Sequence, residues 1–188
     1  MIRFVFILIL LAFASLPPAN AQDTCYLGSW EFDTVYTYEN AEYSPGGSMA
    51  DMPIEFSQAT GSAFLTFGNE GDFTYTFDGW SATFQSNTGP ISTEVQVNLH
   101  GDVWGRYSPA DDDFLTMFMS GDDVPEPNIE SSTVITLGGQ SIDGPDGFES
   151  FFGPQTFGVE YRCESDFLYV NGESGGGAFK NSRYMRAN

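Results

Sequence analysis

The chain predicts an all-β fold, an antiparallel up-and-down β-barrel of about eight to ten strands, on three observations. Apolar and aromatic residues recur at every second position through most of its length, the mark of half-buried strands. Gly, Asp, Asn and Pro break these runs at short intervals, as turn chemistry requires. Two cysteines, Cys25 and Cys163, stand near opposite ends, where a covalent tie helps a sheet close on itself.

The first segment is read as an export signal rather than structure. Met1-Ile2-Arg3 is a short basic start, Phe4 to Leu16 is apolar and uncharged, and Pro17-Pro18-Ala19-Asn20-Ala21 supplies a helix break and an A-x-A cleavage site. The apolar run is shorter than the ~20 residues a bilayer span needs. Residues 1–21 are therefore expected to be removed, leaving residues 22–188 as a single domain that is secreted or periplasmic, with no membrane insertion after cleavage.

The strands follow in order. From Trp30 to Tyr38, Trp30, Phe32, Thr34, Tyr36 and Tyr38 alternate with Glu31, Asp33, Val35 and Thr37, which predicts one half-buried strand. Phe73, Tyr75 and Phe77 alternate likewise, then Asp78-Gly79 precedes Trp80, Ala82 and Phe84. An Asp-Gly pair between alternating runs predicts a hairpin, because its turn positions need positive φ. Ile91–Leu99 alternates again, and His100-Gly101-Asp102 is expected to turn it into Val103–Tyr107. Further strands are expected at Ala63–Phe67, Phe114–Met119, Ser132–Leu137, Phe157–Cys163, Phe167–Asn171 and Phe179–Arg186. Tyr107–Leu115 resembles Tyr161–Leu168, each a strand ending near Tyr, a short acidic turn and a Phe-Leu return, which predicts two similarly built hairpins. Glu39–Pro53, Ser120–Glu130 and Gly138–Gln155 are rich in Gly, Pro, Asp and Ser and read as loops within one domain.

Charge narrows the partners. The chain has six basic and 26 acidic residues and a formal charge of −20. Such a field disfavours nucleic acid and anionic membrane surfaces and attracts cations or a basic protein. An even cysteine pair in an exported chain reads as one structural disulfide, Cys25 to Cys163, with two buried thiols as the alternative.

Leu27-Gly28-Ser29-Trp30 resembles the G-x-W signature of lipocalins and the wider calycin barrels. The later Tyr161-Arg162-Cys163 and Asp166-Phe167-Leu168, with the terminal Ser182-Arg183-Tyr184-Met185-Arg186, are similar to the end of bacterial lipocalin-like domains. The resemblance implies an up-and-down barrel whose base is closed by Trp30, with Arg183 or Arg186 packed over the ring. The T-D-Y motif and C-terminal helix of typical lipocalins have no counterpart here.

Catalytic chemistry is not visible. There is one histidine, His100, and no phosphate loop or Cys-x-x-Cys pair, and the Ser174-Gly175-Gly176-Gly177 run reads as a flexible hairpin tip rather than a nucleophile elbow. No catalytic residue, metal ligand or cofactor is assigned, and the chain is read as a non-enzyme. Asp111-Asp112-Asp113 and the run Asp143 to Glu149 carry carboxylates at loop spacing, but neither follows the EF-hand register, so they read as solvated turns. Barrels of eight or more strands can hold one small ligand. The expected function is therefore non-covalent binding of a small apolar or aromatic molecule, with Trp80, Phe84, Trp104 and Tyr107 lining the cavity. Phe148, Phe151 and Phe152 would form a lid over its mouth or fill a gap in the core. The alternative is a secreted recognition or structural protein whose acidic loops bind a protein partner or divalent cations.

Overall fold

Among the described residues, alternation by two gives ten strands of one antiparallel sheet, and one short helix stands beside them. The structure is a computed structural model and describes residues 24–40, 55–86, 92–111, 113–119, 121–144, 155–172 and 181–187. The strands are β1 (Gly28–Phe32), β2 (Glu55–Phe67), β3 (Asp72–Ser86), β4 (Thr93–Asp111), β5 (Phe114–Phe118), β6 (Asn128–Leu137), β7 (Gln140–Asp143), β8 (Thr156–Glu164), β9 (Phe167–Gly172) and β10 (Ser182–Arg186). The helix α1 spans Thr34–Asn40.

The sheet order is β3-β2-β1-β10-β9-β8-β5-β4-β6-β7, and β3 also pairs with β4. That extra pairing closes eight strands into a ring. Going round it, neighbours are consecutive in the chain except that β6 and β7 are left out. They add instead to β4, whose residues 93–102 pair with β6 while residues 106–111 pair with β5. The first half of β4, the second half of β3 and the first half of β2 therefore project as a wing bordered by β6 and β7.

Glycine makes that projection feasible. Asp78-Gly79 is not the expected hairpin turn but a bulge inside β3, with Phe77 opposite Gly101 and Trp80 opposite Leu99. Positive φ serves a bulge as well as a turn, and Gly79 has φ 58°. The adjacent β2 shifts register between Thr60 and Ser62, around Gly61. His100-Gly101-Asp102 is likewise no turn, for β4 runs through it unbroken. A Cβ on Gly101 would meet the Asn128 carbonyl oxygen at 2.0 Å, and one on Gly61 would meet the Gly79 oxygen at 2.1 Å. The three glycines lie side by side across β2, β3 and β4, so the three strands change course together.

The expected strand from Trp30 to Tyr38 also ends early. Past Phe32 the chain turns into α1, because Asp33 caps it. Its Oδ1 accepts the Tyr36 amide at 3.1 Å and its backbone oxygen accepts the Thr37 amide at 3.0 Å. The two similar segments do form hairpins, with Asp111 opposite Phe114 and Glu164 opposite Phe167. They sit side by side in the ring through β5 and β8.

Inside the ring, Trp30, Leu65, Phe73, Leu115, Met117, Leu168 and Tyr184 are at most 1% exposed. Tyr26, just before β1, meets Phe67, Tyr107 and Tyr161 edge-on at 5.6, 5.5 and 4.9 Å, the geometry that aromatic quadrupoles favour. Cys25 is disulfide-bonded to Cys163 of β8 with Cα atoms 6.2 Å apart.

The shared bend yields a stability prediction. Gly101→Ala forces a side chain into positive φ, 115°, and into backbone, and is expected to lower stability by about 2–3 kcal/mol. Denaturant unfolding measures it, and a loss below about 0.5 kcal/mol would contradict a strict glycine requirement there.

Candidate functional site

Two of the four expected lining side chains, Trp80 and Phe84, lie in one aromatic cluster where α1 meets the wing. The helix is pinned on two sides. Arg183 of β10 donates through Nε to Asp33 Oδ2 at 2.9 Å and pairs with the same oxygen through Nη2. Its backbone amide donates to Thr37 Oγ1 at 3.0 Å. On the other side Trp80 donates its indole N–H to Thr34 Oγ1 at 3.0 Å. Buried polar groups paired in this way hold an element in one orientation.

That orientation lays Tyr38 over β2 and β3. Its ring stacks on Phe56 at 5.4 Å, with planes 19° apart, and meets Phe84 edge-on at 5.1 Å. Phe56 and Phe84 are 6.1 Å apart. Phe32 joins from β1 at 6.3 Å from Tyr38 and 6.4 Å from Trp80. Trp80 is buried, whereas Phe32, Tyr38, Phe56 and Phe84 keep part of their surface accessible. On β4 and β6, Val95 faces Phe84 and Ile135 faces Val95, continuing the apolar face.

The other two expected lining residues lie elsewhere. Tyr107 belongs to the packed ring with Tyr26 and Phe67, and its hydroxyl donates to the Gly68 carbonyl. Trp104 is on the opposite face of β4. Val103 and Gly105 beside it are buried inward, so a side chain between them points outward. Trp104 thus does not line the interior, and the four residues do not share one cavity. The described side chains that face the ring interior are buried.

The two arginines separate as well. Arg186 lies over the Trp30 ring, 4.1 Å from its centroid, and donates to the Cys25 carbonyl at 3.1 Å. Trp30 donates its own N–H to the Tyr26 carbonyl at 2.6 Å. Arg183 is not part of this base packing. It stacks outside on Tyr36 at 3.4 Å and Phe167 at 4.7 Å, because the Asp33 carboxylate draws it to α1. Phe148, Phe151 and Phe152 lie outside the described residues, as do residues 1–21, expected to be an export signal.

His100 is exposed in mid-strand opposite Glu130. It borders a depression of about 420 Å³ with Asp78 and Asp102, where Asp102 accepts the Thr76 hydroxyl at 2.7 Å. Among the described residues, no group of three or more His, Cys, Asp or Glu side chains is placed to hold a metal ion. None of their helices is long and apolar enough to cross a membrane.

Sequence reasoning missed Tyr38, Phe56 and Phe32 as partners of Trp80 and Phe84. The usable signal was Asp33, a favoured helix cap placed directly before the run that alternation assigned to strand. No family model, curated protein or solved structure matches the chain.

Burial raises the phenols of Tyr75 and Tyr184 above their ordinary value, the former also through the adjacent Tyr184. Burial, followed by Tyr26, pushes Tyr107 up to about 12. A folded-state pKa above the unfolded one stabilises the fold at low pH and is lost as pH rises. These tyrosines are therefore expected to destabilise the fold progressively between about pH 10 and 12. Tyrosinate absorbance checks this, since part of the signal should appear only with unfolding. Complete ionisation of all tyrosines in one step near pH 10, with the fold intact, would contradict it.

Proposed function

We propose that the chain is an exported, non-enzymatic binding protein that holds a small apolar or aromatic molecule without covalent chemistry. The ligand rests on the aromatic face formed by Tyr38, Phe56, Trp80 and Phe84 rather than inside the ring. The observation that carries this reading is the cluster itself. Several rings converge on one sheet face, and all but Trp80 keep accessible surface, which is the chemistry an apolar ligand needs. Rigid rings with few rotors also lose little entropy on binding.

Export is supported by the leader and by the disulfide, a bond that persists in oxidising compartments. A lipocalin-like barrel is supported by the closed eight-strand ring in up-and-down order and by an arginine over Trp30 at the β1–β10 seam.

A second reading has its own observation. Leu137 and Ile142 are 44% and 54% exposed, and β7 ends the sheet order with all four residues exposed. An open edge with apolar side chains suits recognition of another protein, as would a structural or recognition role for the acidic surface.

Titration with an apolar fluorophore at low and high salt separates the two. Saturable one-to-one binding with little salt dependence is expected, because apolar burial is not screened. Phe84→Ala should weaken it about tenfold, the equivalent of roughly 1.4 kcal/mol of lost contact. Trp104→Ala, on the outer face, should leave it unchanged. No saturable binding, together with a salt-sensitive interaction with calcium or a basic protein, would favour recognition instead.

A further inference from the structure

We infer that the outer wall of the ring carries a saccharide-binding groove, a site separate from the aromatic face of the wing. The groove has a volume of about 650 Å³ and is open to solvent along β8, β9 and β10. Outward positions of two strands line it, Glu160 and Arg162 from β8 and Tyr169 and Asn171 from β9. Tyr36 of α1 forms one wall, and Asp113 of the β4–β5 turn lies at its border.

Its two rings are set by their surroundings. Tyr36 and Tyr169 stand 6.3 Å apart with planes 76° to one another, so they present an angled aromatic corner. The Arg183 guanidinium lies 3.4 Å from the Tyr36 centroid, and that of Arg162 lies 4.6 Å from the Tyr169 centroid. Cation–π stacking holds both rings in place while leaving them in the groove lining. Arg183 is itself anchored on Asp33, so the Tyr36 wall of the corner is tied to β10.

The lining chemistry rejects the simpler ligands in turn. An apolar molecule would strip water from Glu160, Asn171 and Asp113 and return no hydrogen bonds, which is costly. An anion meets two carboxylates, and both nearby arginines already face acids, Arg162 with Glu164 at 2.9 Å and Arg183 with Asp33. A bare metal ion meets the Arg162 guanidinium, and the described residues place no group of three or more His, Cys, Asp or Glu side chains to hold it. A neutral polyhydroxylated ligand meets none of these objections. Its hydroxyls donate to Glu160 and Asp113, accept from Arg162, and do both with the Asn171 amide. The C–H face of a pyranose packs on a tyrosine ring, which offers an apolar body with a polar tip.

The test is calorimetric titration of the full exported chain with four neutral oligosaccharides, maltotetraose, cellotetraose, chitotetraose and mannotetraose. At least one is expected to bind saturably. Asn171→Ala is an exposed substitution that leaves the fold intact, and it should weaken that binding several-fold. Tyr169→Ala should weaken it about tenfold or more, with Tyr169→Phe staying within about threefold of the parent. Bound sugar should not displace an apolar fluorophore, and Phe84→Ala should leave sugar affinity unchanged, so the groove and the wing can fail independently. No binding of any of the four at about 10 mM, a threshold for even weak recognition, would overturn the inference. So would binding that survives both Asn171→Ala and Tyr169→Ala, or saturable binding of inorganic phosphate or calcium that Asn171→Ala abolishes.

Discussion

Closure of the ring at its weakest seam is the constraint on which the rest depends. The strands β1 and β10 have five residues each and pair at three register positions, Trp30 with Arg186, Glu31 with Met185 and Phe32 with Tyr184. One backbone hydrogen bond lies beyond each end, Asp33 N–H to Arg183 O at 2.9 Å and Ala187 N–H to Ser29 O at 3.0 Å. Three independent ties reinforce the chain just before this seam. The disulfide fixes Cys25 to β8, Arg186 holds the Cys25 carbonyl while covering Trp30, and Trp30 holds the Tyr26 carbonyl. A cross-link closing so long a loop contributes on the order of 4–5 kcal/mol in chain-entropy terms. The stacked arginine adds about 0.5–2 kcal/mol. Together they seat Tyr26 among Phe67, Tyr107 and Tyr161, and the interior packs around that ring.

Three of the ring strands, β2, β3 and β4, are long enough to run on beyond it, at 13, 15 and 19 residues. Their shared bend at Gly61, Gly79 and Gly101 directs the outer halves into the wing, and β6 and β7 widen it. Arg183 links this outer region to the seam. From β10 it grips Asp33, the cap of α1, and so sets where Tyr38 reaches the aromatic face. The same guanidinium stacks on Tyr36 at the other surface groove. One arginine thus organises side chains on two faces of the molecule.

Strand content was legible because period two survives any topology. The misreadings came where one local signal serves two structures. Asp78-Gly79 supplies positive φ, and a bulge uses it as readily as a hairpin; only the partner strand, with Phe77 opposite Gly101, decides between them. Trp30–Tyr38 alternates in the manner of a strand, yet Asp33 can cap a helix, and the pull of Arg183 from 150 residues away selects the helix. Alternation also places Val103 and Trp104 on opposite faces without saying which face is inside. The wrong parity put Trp104 in the interior. The seam was more legible, since two cysteines admit a single pairing and the Trp30 context is local. Phe56 and Tyr38 were invisible as site residues because their convergence depends on the bend and the cap together.

Hydrogen exchange on the oxidised and disulfide-reduced protein tests the closure account most directly. The amides of Trp30–Phe32 and Tyr184–Arg186 should be strongly protected when oxidised. On reduction they should lose protection by about three orders of magnitude, the loss that ~4–5 kcal/mol of cross-linking implies, with the ring strands β2 and β9 following. Unchanged protection across β1 and β10 in the reduced protein would contradict the account, because the ring would then be closed without its covalent tie.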